Sequence, residues 1–136
     1  MVKSVAVVYS TRNGSTKQYA EWFGQILKCK VLEMDKVKAE ELNFDTLVVM
    51  SGTYAARMPL TDFLKHNWNI VKDKNLIVVA VGAAPEDNLW SKVSYYLIPG
   101  RIRKSVKYFK IKGNYGDSTD NVKKSNLKRV LDFIKK

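Results

Sequence analysis

One loop near the start of the chain has the residue types of a phosphate cradle. It follows an apolar run typical of a strand and leads into an amphipathic helical pattern. Its hydroxyl and amide side chains flank one glycine, so side-chain donors and consecutive backbone N–H groups can point at a single anion. The following helix would add the positive end of its dipole. The loop consists of Ser10, Thr11, Arg12, Asn13, Gly14, Ser15 and Thr16.

The positions of glycine and lysine within this loop indicate which kind of phosphate compound it could bind. A nucleoside triphosphate loop needs two glycines and a lysine before its Ser or Thr, and the dinucleotide fingerprint needs three glycines. This loop has neither pattern, so its donors suit a phosphate monoester and predict no Rossmann-type site for NAD or FAD. Short turns of Ser, Thr, Asn and Gly also occur as ordinary polar turns before helices. The loop by itself leaves both interpretations open.

Strand and helix patterns alternate along the rest of the chain. Apolar runs predict strands at 5–9, 29–33, 47–50 and 75–82, and an imperfect alternation with lysines predicts an edge strand at 107–112. Helical stripes begin at Ser15 and at Pro59, and a closing helix carries Leu127 to Ile134. A further stripe is predicted to pack in the core, with Trp90 as part of it. That stripe consists of Leu89, Trp90, Val93, Tyr96 and Leu97.

This alternation predicts an α/β fold with a doubly wound parallel sheet of five strands, because each crossover buries one apolar helix face against the sheet. The expected strand order is 2-1-3-4-5. In that order the switch point lies between the first and third strands, and the loops at their carboxyl ends meet in one crevice. A length of 136 residues with 46% apolar content suits one domain that spans the whole chain.

The first loop and its flanks, from Val7 to Thr16, resemble the FMN-phosphate loop of the flavodoxin family, whose pattern is Ser/Thr-x-Thr-x-Gly-x-Thr. Arg12 stands where many flavodoxins have Thr. An Arg there is familiar from the relatives that include menaquinone-dependent protoporphyrinogen dehydrogenases. The resemblance implies one bound FMN, with its phosphate in the first loop.

Two later loops are similar to the family's ring-binding loops. By this resemblance the second loop grips the flavin ring, with Tyr54 beside it, although Tyr54 could also be an aromatic that covers the strand end. The third loop would lie along the pyrimidine edge, where Asp87 could contact the cofactor or be solvated. The second loop consists of Ser51, Gly52, Thr53, Tyr54, Ala55, Ala56 and Arg57, and the third contributes Gly82, Ala83, Ala84 and Asp87.

Other residues that could do chemistry are given no role. His66 lies off the apolar stripe of its helix and is interpreted as solvated. Cys29, the only cysteine, is interpreted as a small buried hydrophobe, and it allows neither an internal disulfide nor a paired-cysteine metal site. A lone cysteine, a first apolar run too short to cross a membrane and the lack of a cleavage site predict a cytoplasmic protein.

The positive charge is concentrated at the end of the chain. Residues 1–100 hold 12 Lys or Arg and 10 Asp or Glu, whereas residues 101–136 hold 12 and 3. We expect this basic pole at one sheet edge, where it would meet an acidic redox protein or an anionic membrane surface; nucleic acid is the weaker candidate. The pole consists of Arg101, Arg103, Lys104, Lys107, Lys110, Lys112, Lys123, Lys124, Lys128, Arg129, Lys135 and Lys136.

The resemblance implies two functions, and the basic pole suggests a third. The first is an FMN-dependent electron carrier or general flavin oxidoreductase, in which the cofactor does the chemistry and no catalytic acid or base is needed. The second is a protoporphyrinogen dehydrogenase-like enzyme that uses a quinone. The third belongs to another class: a flavin-free module of the same fold that binds nucleic acid through its basic pole.

Overall fold

The strands form where the apolar, β-branched runs predict them. The computed structural model describes residues 4–10, 14–53, 57–82, 88–113 and 122–135. All pairings between neighbouring strands are parallel, and the order β2-β1-β3-β4-β5 confirms the predicted topology. The strands are β1 (Val5–Ser10), β2 (Lys30–Glu33), β3 (Thr46–Gly52), β4 (Asn75–Gly82) and β5 (Val106–Lys112).

Helices cover both faces of the sheet. One apolar core lies between the sheet and the helices α1 and α6, and the other lies between the sheet and the helices α2, α3 and α5. The helices are α1 (Ser15–Leu27), α2 (Pro59–His66), α3 (Trp68–Val71), α4 (Leu89–Leu97), α5 (Gly100–Arg103) and α6 (Lys128–Lys135). Short 3₁₀ turns span Ala39–Leu42 and Lys124–Leu127.

The helical pattern that begins at Pro59 is divided into two helices. The predicted stripe residues Leu60, Phe63, Leu64 and Val71 are all buried, as expected. The helix is interrupted between α2 and α3 at Asn67. The side-chain amide and the backbone N–H of Asn67 both donate to Phe63 O, at 2.9 and 3.0 Å. A side chain that bonds the preceding turn competes with helix continuation, which explains the break.

The predicted burial of the α4 stripe is wrong. Leu89, Trp90, Tyr96 and Leu97 are 68, 56, 66 and 54% exposed, and Val93 is half-buried. The helical period itself is correct, since these five residues share one side of α4. The opposite side carries Ser91 and Ser94, both buried, and it is this polar side that packs on the sheet.

The predicted edge position of β5 is confirmed. Of its three lysines, Lys110 is not exposed to solvent as predicted. Lys107 and Lys112 are exposed. Lys110 is only 7% exposed. It shares the strand face of Val106 and Tyr108, which pack against the core that contains Ile98. Successive strand residues point to opposite faces, so the side chain of Lys110 is directed inward, beneath α4.

Candidate functional site

The three candidate loops leave the sheet close to one another. Ser10 of β1 pairs with Ser51 of β3, Ser51 pairs with Ala80 of β4, and Ala80 pairs with Lys110 of β5. These four residues therefore form one row across the carboxyl end of the sheet, with neighbouring strands about 4.8 Å apart. The first and second loops lie on either side of the switch point between β1 and β3.

The amino end of α1 forms the described part of the first loop. Gly14 has φ 90° and ψ −13°, a left-handed conformation that favours glycine, and a Cβ on it would meet no atom within 4 Å. The first helical hydrogen bond runs from Gln18 N to Gly14 O, at 3.0 Å, so the amides of residues 15–17 point out of the helix end. Ser15 and Thr16 are buried at this end.

The charge of this helix end suits an anion. The first turn of α1 carries no acidic residue, its buried side-chain donors are the neutral hydroxyls of Ser15 and Thr16, and Lys17 in the same turn is exposed. A helix amino end has the equivalent of about half a positive charge. Neutral hydroxyls and backbone N–H groups are donors that a phosphate monoester accepts from. The described donor set therefore fits a phosphate.

Tyr19 fixes the position of α1. Its ring is fully buried, and its hydroxyl donates to Lys112 O at 2.6 Å and accepts from Asn126 Nδ2 at 2.7 Å. Burial raises the pKa of Tyr19, and the hydrogen bonds from Asn126 and the backbone N–H of Lys123 act in the opposite direction. This one hydroxyl joins the first helix to the end of β5 and to the C-terminal segment.

The first residues of the second loop form hydrogen bonds that fix the loop to α2 and to β4. Ser51 is fully buried, and its hydroxyl donates to Gly52 O at 3.1 Å and accepts from Leu60 N at 3.2 Å. These bonds fix the start of α2. Thr53 N donates to Val81 O at 3.0 Å, which holds the loop against β4. Arg57 is exposed. The prediction that these residues contact a cofactor stays a prediction.

Lys110 lies at the candidate site, although the sequence analysis assigned it to the basic pole and not to the site. Its ammonium donates to Ser91 Oγ at 2.8 Å. A Cβ added to Gly82 would lie 3.4 Å from Lys110 Nζ and would collide with Thr53 Oγ1. A buried ammonium therefore lies at the start of the third loop, beside a position with no room for a side chain.

The remaining predicted site residues lie outside the described ranges. They are Thr11, Arg12 and Asn13 in the first loop, Tyr54, Ala55 and Ala56 in the second, and Ala83, Ala84 and Asp87 in the third. Within the described ranges, no group of His, Cys, Asp and Glu is arranged to hold a metal ion. No helix in those ranges is both long and apolar enough to span a membrane.

Most of the predicted basic pole surrounds the edge strand. Arg101, Lys104, Lys107 and Lys112 are exposed, as are Lys123, Lys124, Lys128 and Arg129 in the C-terminal segment. Lys110 does not belong to this surface, because it is buried. Elsewhere, burial raises the pKa of the Cys29 thiol, which favours its interpretation as a packing residue rather than a nucleophile.

Comparison with known proteins places the chain in a family. The model of the flavodoxin domain matches residues 6–117, which is most of the chain. The chain belongs to the flavodoxin-domain family. This confirms the predicted family, while the branch of menaquinone-dependent protoporphyrinogen dehydrogenases stays a prediction. No curated protein sequence matches this flavodoxin-domain protein.

Solved structures share its fold at low identity. A flavodoxin from the domain Archaea is 18% identical with a TM-score of 0.63, over 98% of this chain and 99% of that one. A flavodoxin mutant from Fusobacterium nucleatum, bound to flavin mononucleotide, is 16% identical with a TM-score of 0.60, over 100% and 95%. An apo NADH:FMN oxidoreductase is 15% identical with a TM-score of 0.55, over 98% and 87%.

Proposed function

We propose that this flavodoxin-domain protein binds one FMN noncovalently and transfers electrons through it. The observation that carries the proposal is the row of Ser10, Ser51, Ala80 and Lys110 at the switch point, next to the anion-accepting end of α1. The family and the FMN-bound flavodoxin of the same fold support it. The proposal keeps the cytoplasmic location that the sequence predicts.

The phosphate of FMN would be held at the end of α1. Ser15 and Thr16 contribute neutral hydroxyls there, and the helix dipole favours the negative charge. Ser10, at the end of β1, adds another hydroxyl at the same edge of the sheet. Since these three hydroxyls are neutral, their contribution to the affinity for the phosphate would come from hydrogen bonds, added to that of the helix end.

The flavin ring would lie over the second and third loops. Bound FMN supplies the electron chemistry, and the protein controls how tightly the cofactor is held and how easily it is reduced. The buried ammonium of Lys110 lies beside Gly82, where the third loop begins. A buried positive charge acts over a longer range than an exposed one, so Lys110 would favour the reduced cofactor, which carries more negative charge.

Titration of the apoprotein with FMN tests the proposal. The wild type should reach a one-to-one endpoint. Thr16→Val should weaken binding by about 1–3 kcal/mol, because one hydrogen bond to a charged group is lost. Thr61→Val is the matched control, since Thr61 is a half-buried threonine of α2, and its affinity for FMN should match the wild type. Thr11→Val combined with Thr16→Val should weaken binding further.

Two results would contradict the proposal. The first is an absence of FMN binding at micromolar concentrations, and the second is unchanged affinity in Thr16→Val, which would move the phosphate site elsewhere. Salt-dependent binding to duplex DNA by the flavin-free chain would favour the nucleic-acid module instead.

The finer role, carrier or enzyme, is decided by a separate assay. We place the carrier or general oxidoreductase first, since none of the described residues forms a catalytic acid–base pair at the row of loop starts. The reconstituted protein should pass electrons without oxidising protoporphyrinogen. Turnover of protoporphyrinogen with a quinone acceptor would establish the dehydrogenase instead.

A further inference from the structure

The outward side of α4 is an unusual surface for a helix that covers a sheet. Such helices normally bury their apolar stripe, whereas α4 exposes Leu89, Trp90, Tyr96 and Leu97 on one side. We call these four residues and Val93 the α4 stripe. Leu89 and Trp90 lie at the end of α4 that adjoins the candidate crevice, directly after Asn88, whose side chain caps the helix by accepting from Trp90 N at 2.9 Å.

The orientation of α4 is held by contacts on its inner side. Lys110 Nζ donates to Ser91 Oγ at 2.8 Å, and both residues are buried. Ser94, on the same side, is fully buried, and its hydroxyl donates within the helix to Trp90 O at 2.9 Å. A rotation that buried the stripe would break the hydrogen bond between Lys110 and Ser91 and would bring Ser94 out of its buried position. The stripe is therefore exposed because the inner contacts require it.

Positive charges border the α4 stripe. The guanidinium of Arg103 lies 5.1 Å from the ring centre of Tyr96 and donates to the backbone O of the same residue at 3.2 Å. Lys92 is exposed on α4 itself, and Arg101 and Lys104 are exposed on the short helix that follows. The surface thus combines leucines, a Trp, a Tyr and cationic side chains within residues 89–104.

We propose that the α4 stripe docks this protein on an anionic membrane surface, with its apolar side chains in the headgroup region and the basic residues on lipid phosphates. Leu with Trp or Tyr, bordered by Lys and Arg, is the composition of helices that lie in a membrane interface. A helix can enter this region because its backbone groups are already paired. The inference goes beyond the proposed function and does not depend on FMN.

Two other occupants fit the surface less well. A second copy of the chain would bring together two proteins of net charge +11, which repel each other. An acidic protein matches the charge, but lysine is depleted in protein interfaces relative to the rest of the surface, and this surface includes Lys92 and Lys104. Lysines beside an apolar surface are instead typical of lipid contact, where basic residues near an anionic leaflet are attracted to its negative surface potential.

Vesicle flotation tests the docking. The protein should float with vesicles of phosphatidylcholine and phosphatidylglycerol, and less with phosphatidylcholine alone. The variant Leu89→Ser/Leu97→Ser should bind the anionic vesicles roughly tenfold or more weakly, because two apolar side chains no longer leave water. Ile70→Ser is the matched control, since Ile70 is an exposed apolar residue on α3, and its binding should equal the wild type.

A charge variant tests the basic border. Arg101→Glu/Lys104→Glu should reduce binding to the anionic vesicles roughly tenfold or more. Its control, Lys30→Glu/Lys65→Glu, makes the same charge change at exposed residues of β2 and α2 and should reduce binding much less. Circular dichroism of all four variants should match the wild type, because the altered side chains are exposed.

Three results would overturn the proposal. One is equal flotation with neutral and anionic vesicles, and another is undiminished binding by the Leu89→Ser/Leu97→Ser variant. The third is retention on immobilised poly-glutamate that is as strong as retention on the anionic vesicles. In this result the Leu89→Ser/Leu97→Ser change would weaken both kinds of binding by the same factor. That last result would identify an acidic protein as the partner instead.

Discussion

The helices α1 and α4 both carry an apolar stripe at helical spacing, and the fold orients the two stripes in opposite directions. In α1 the stripe residues Tyr19, Ala20 and Phe23 are completely buried. In α4 the residues Leu89 and Trp90 are more exposed than buried, and serines face the sheet. The period of a stripe therefore identifies a helix, but it does not by itself say which side meets the sheet.

The sheet beneath each helix explains the difference. α1 packs over apolar strand residues such as Val7 and Val48, which offer nothing for a polar side chain to bond. α4 packs where β5 presents the ammonium of Lys110. A buried charge without a partner is costly, so the helix turns a serine toward it. The hydrogen bond between Lys110 and Ser91 therefore favours the orientation in which the polar side of α4 faces the sheet.

The largest expected effect comes from exchanging one aromatic residue in each helix for alanine. Phe23→Ala should lower the free energy of unfolding by about 3–5 kcal/mol, because it leaves a cavity in the core. Trp90→Ala should change it by about 0.5 kcal/mol or less, since Trp90 is mostly exposed. Urea denaturation measures both. Equal losses would show that α4 buries its stripe in solution.

A second change tests the inner side of α4. Ser94→Leu places a large apolar side chain where Ser94 is fully buried, and overpacking should cost about 1–3 kcal/mol of stability. The matched change on the outer side, Lys92→Leu, lies on an exposed position of the same helix and should cost much less. Thermal unfolding of the two variants compares them, and a stabilised Ser94→Leu protein would contradict the orientation.

Removing the Tyr19 hydroxyl should have the next largest effect. Tyr19→Phe deletes the bonds to Lys112 O and Asn126 Nδ2 and should cost about 1–2 kcal/mol of unfolding free energy. Because burial raises the pKa of Tyr19 above its ordinary value of 10.0, its contribution is present below that pH and is lost as the pH rises further. The variant should show a smaller alkaline loss of stability; an identical pH profile would contradict this.

The smallest expected effect concerns the cofactor. Lys110→Met should make the two-electron midpoint potential of the FMN-loaded protein more negative by on the order of 30 mV, which corresponds to about 1.4 kcal/mol. Lys112→Met, an exposed lysine on the same strand, should shift it less because water screens its charge. Spectroelectrochemistry measures both potentials, and equal shifts would remove Lys110 from the ring environment.

Much of the fold follows from local patterns in the sequence. The apolar runs and the alternation of strands with helices predict a doubly wound parallel sheet, because right-handed crossovers leave few topologies, and the observed order is one of the two common ones. The helix break at Asn67 was missed, since a side-chain hydrogen bond to the preceding turn leaves no periodic signal. The orientation of α4 was missed because it depends on β5, a strand that follows it in the chain.

The candidate site can be predicted from the sequence where it is a local motif, but not where it depends on strand register. The spacing around Gly14 predicts an anion site at the amino end of α1, and this stays a prediction because residues 11–13 lie outside the described part of the chain. Lys110 comes to the site only through its pairing with Ala80. A signal did exist, since Lys110 has the same parity along β5 as Val106 and Tyr108, which face the core.

The hydrogen bonds of Tyr19 have a consequence for folding during translation. The partners of its hydroxyl, Lys112 and Asn126, lie 93 and 107 residues further along the chain. On the ribosome, this hydroxyl therefore gains its last partner only once Asn126 has been made, although α1 also packs on β1 and β3. Because α1 carries the end proposed to hold the phosphate, we expect ribosome-stalled chains that end before Asn126 to bind FMN more weakly than those that include it, which fluorescence of the stalled chains can measure.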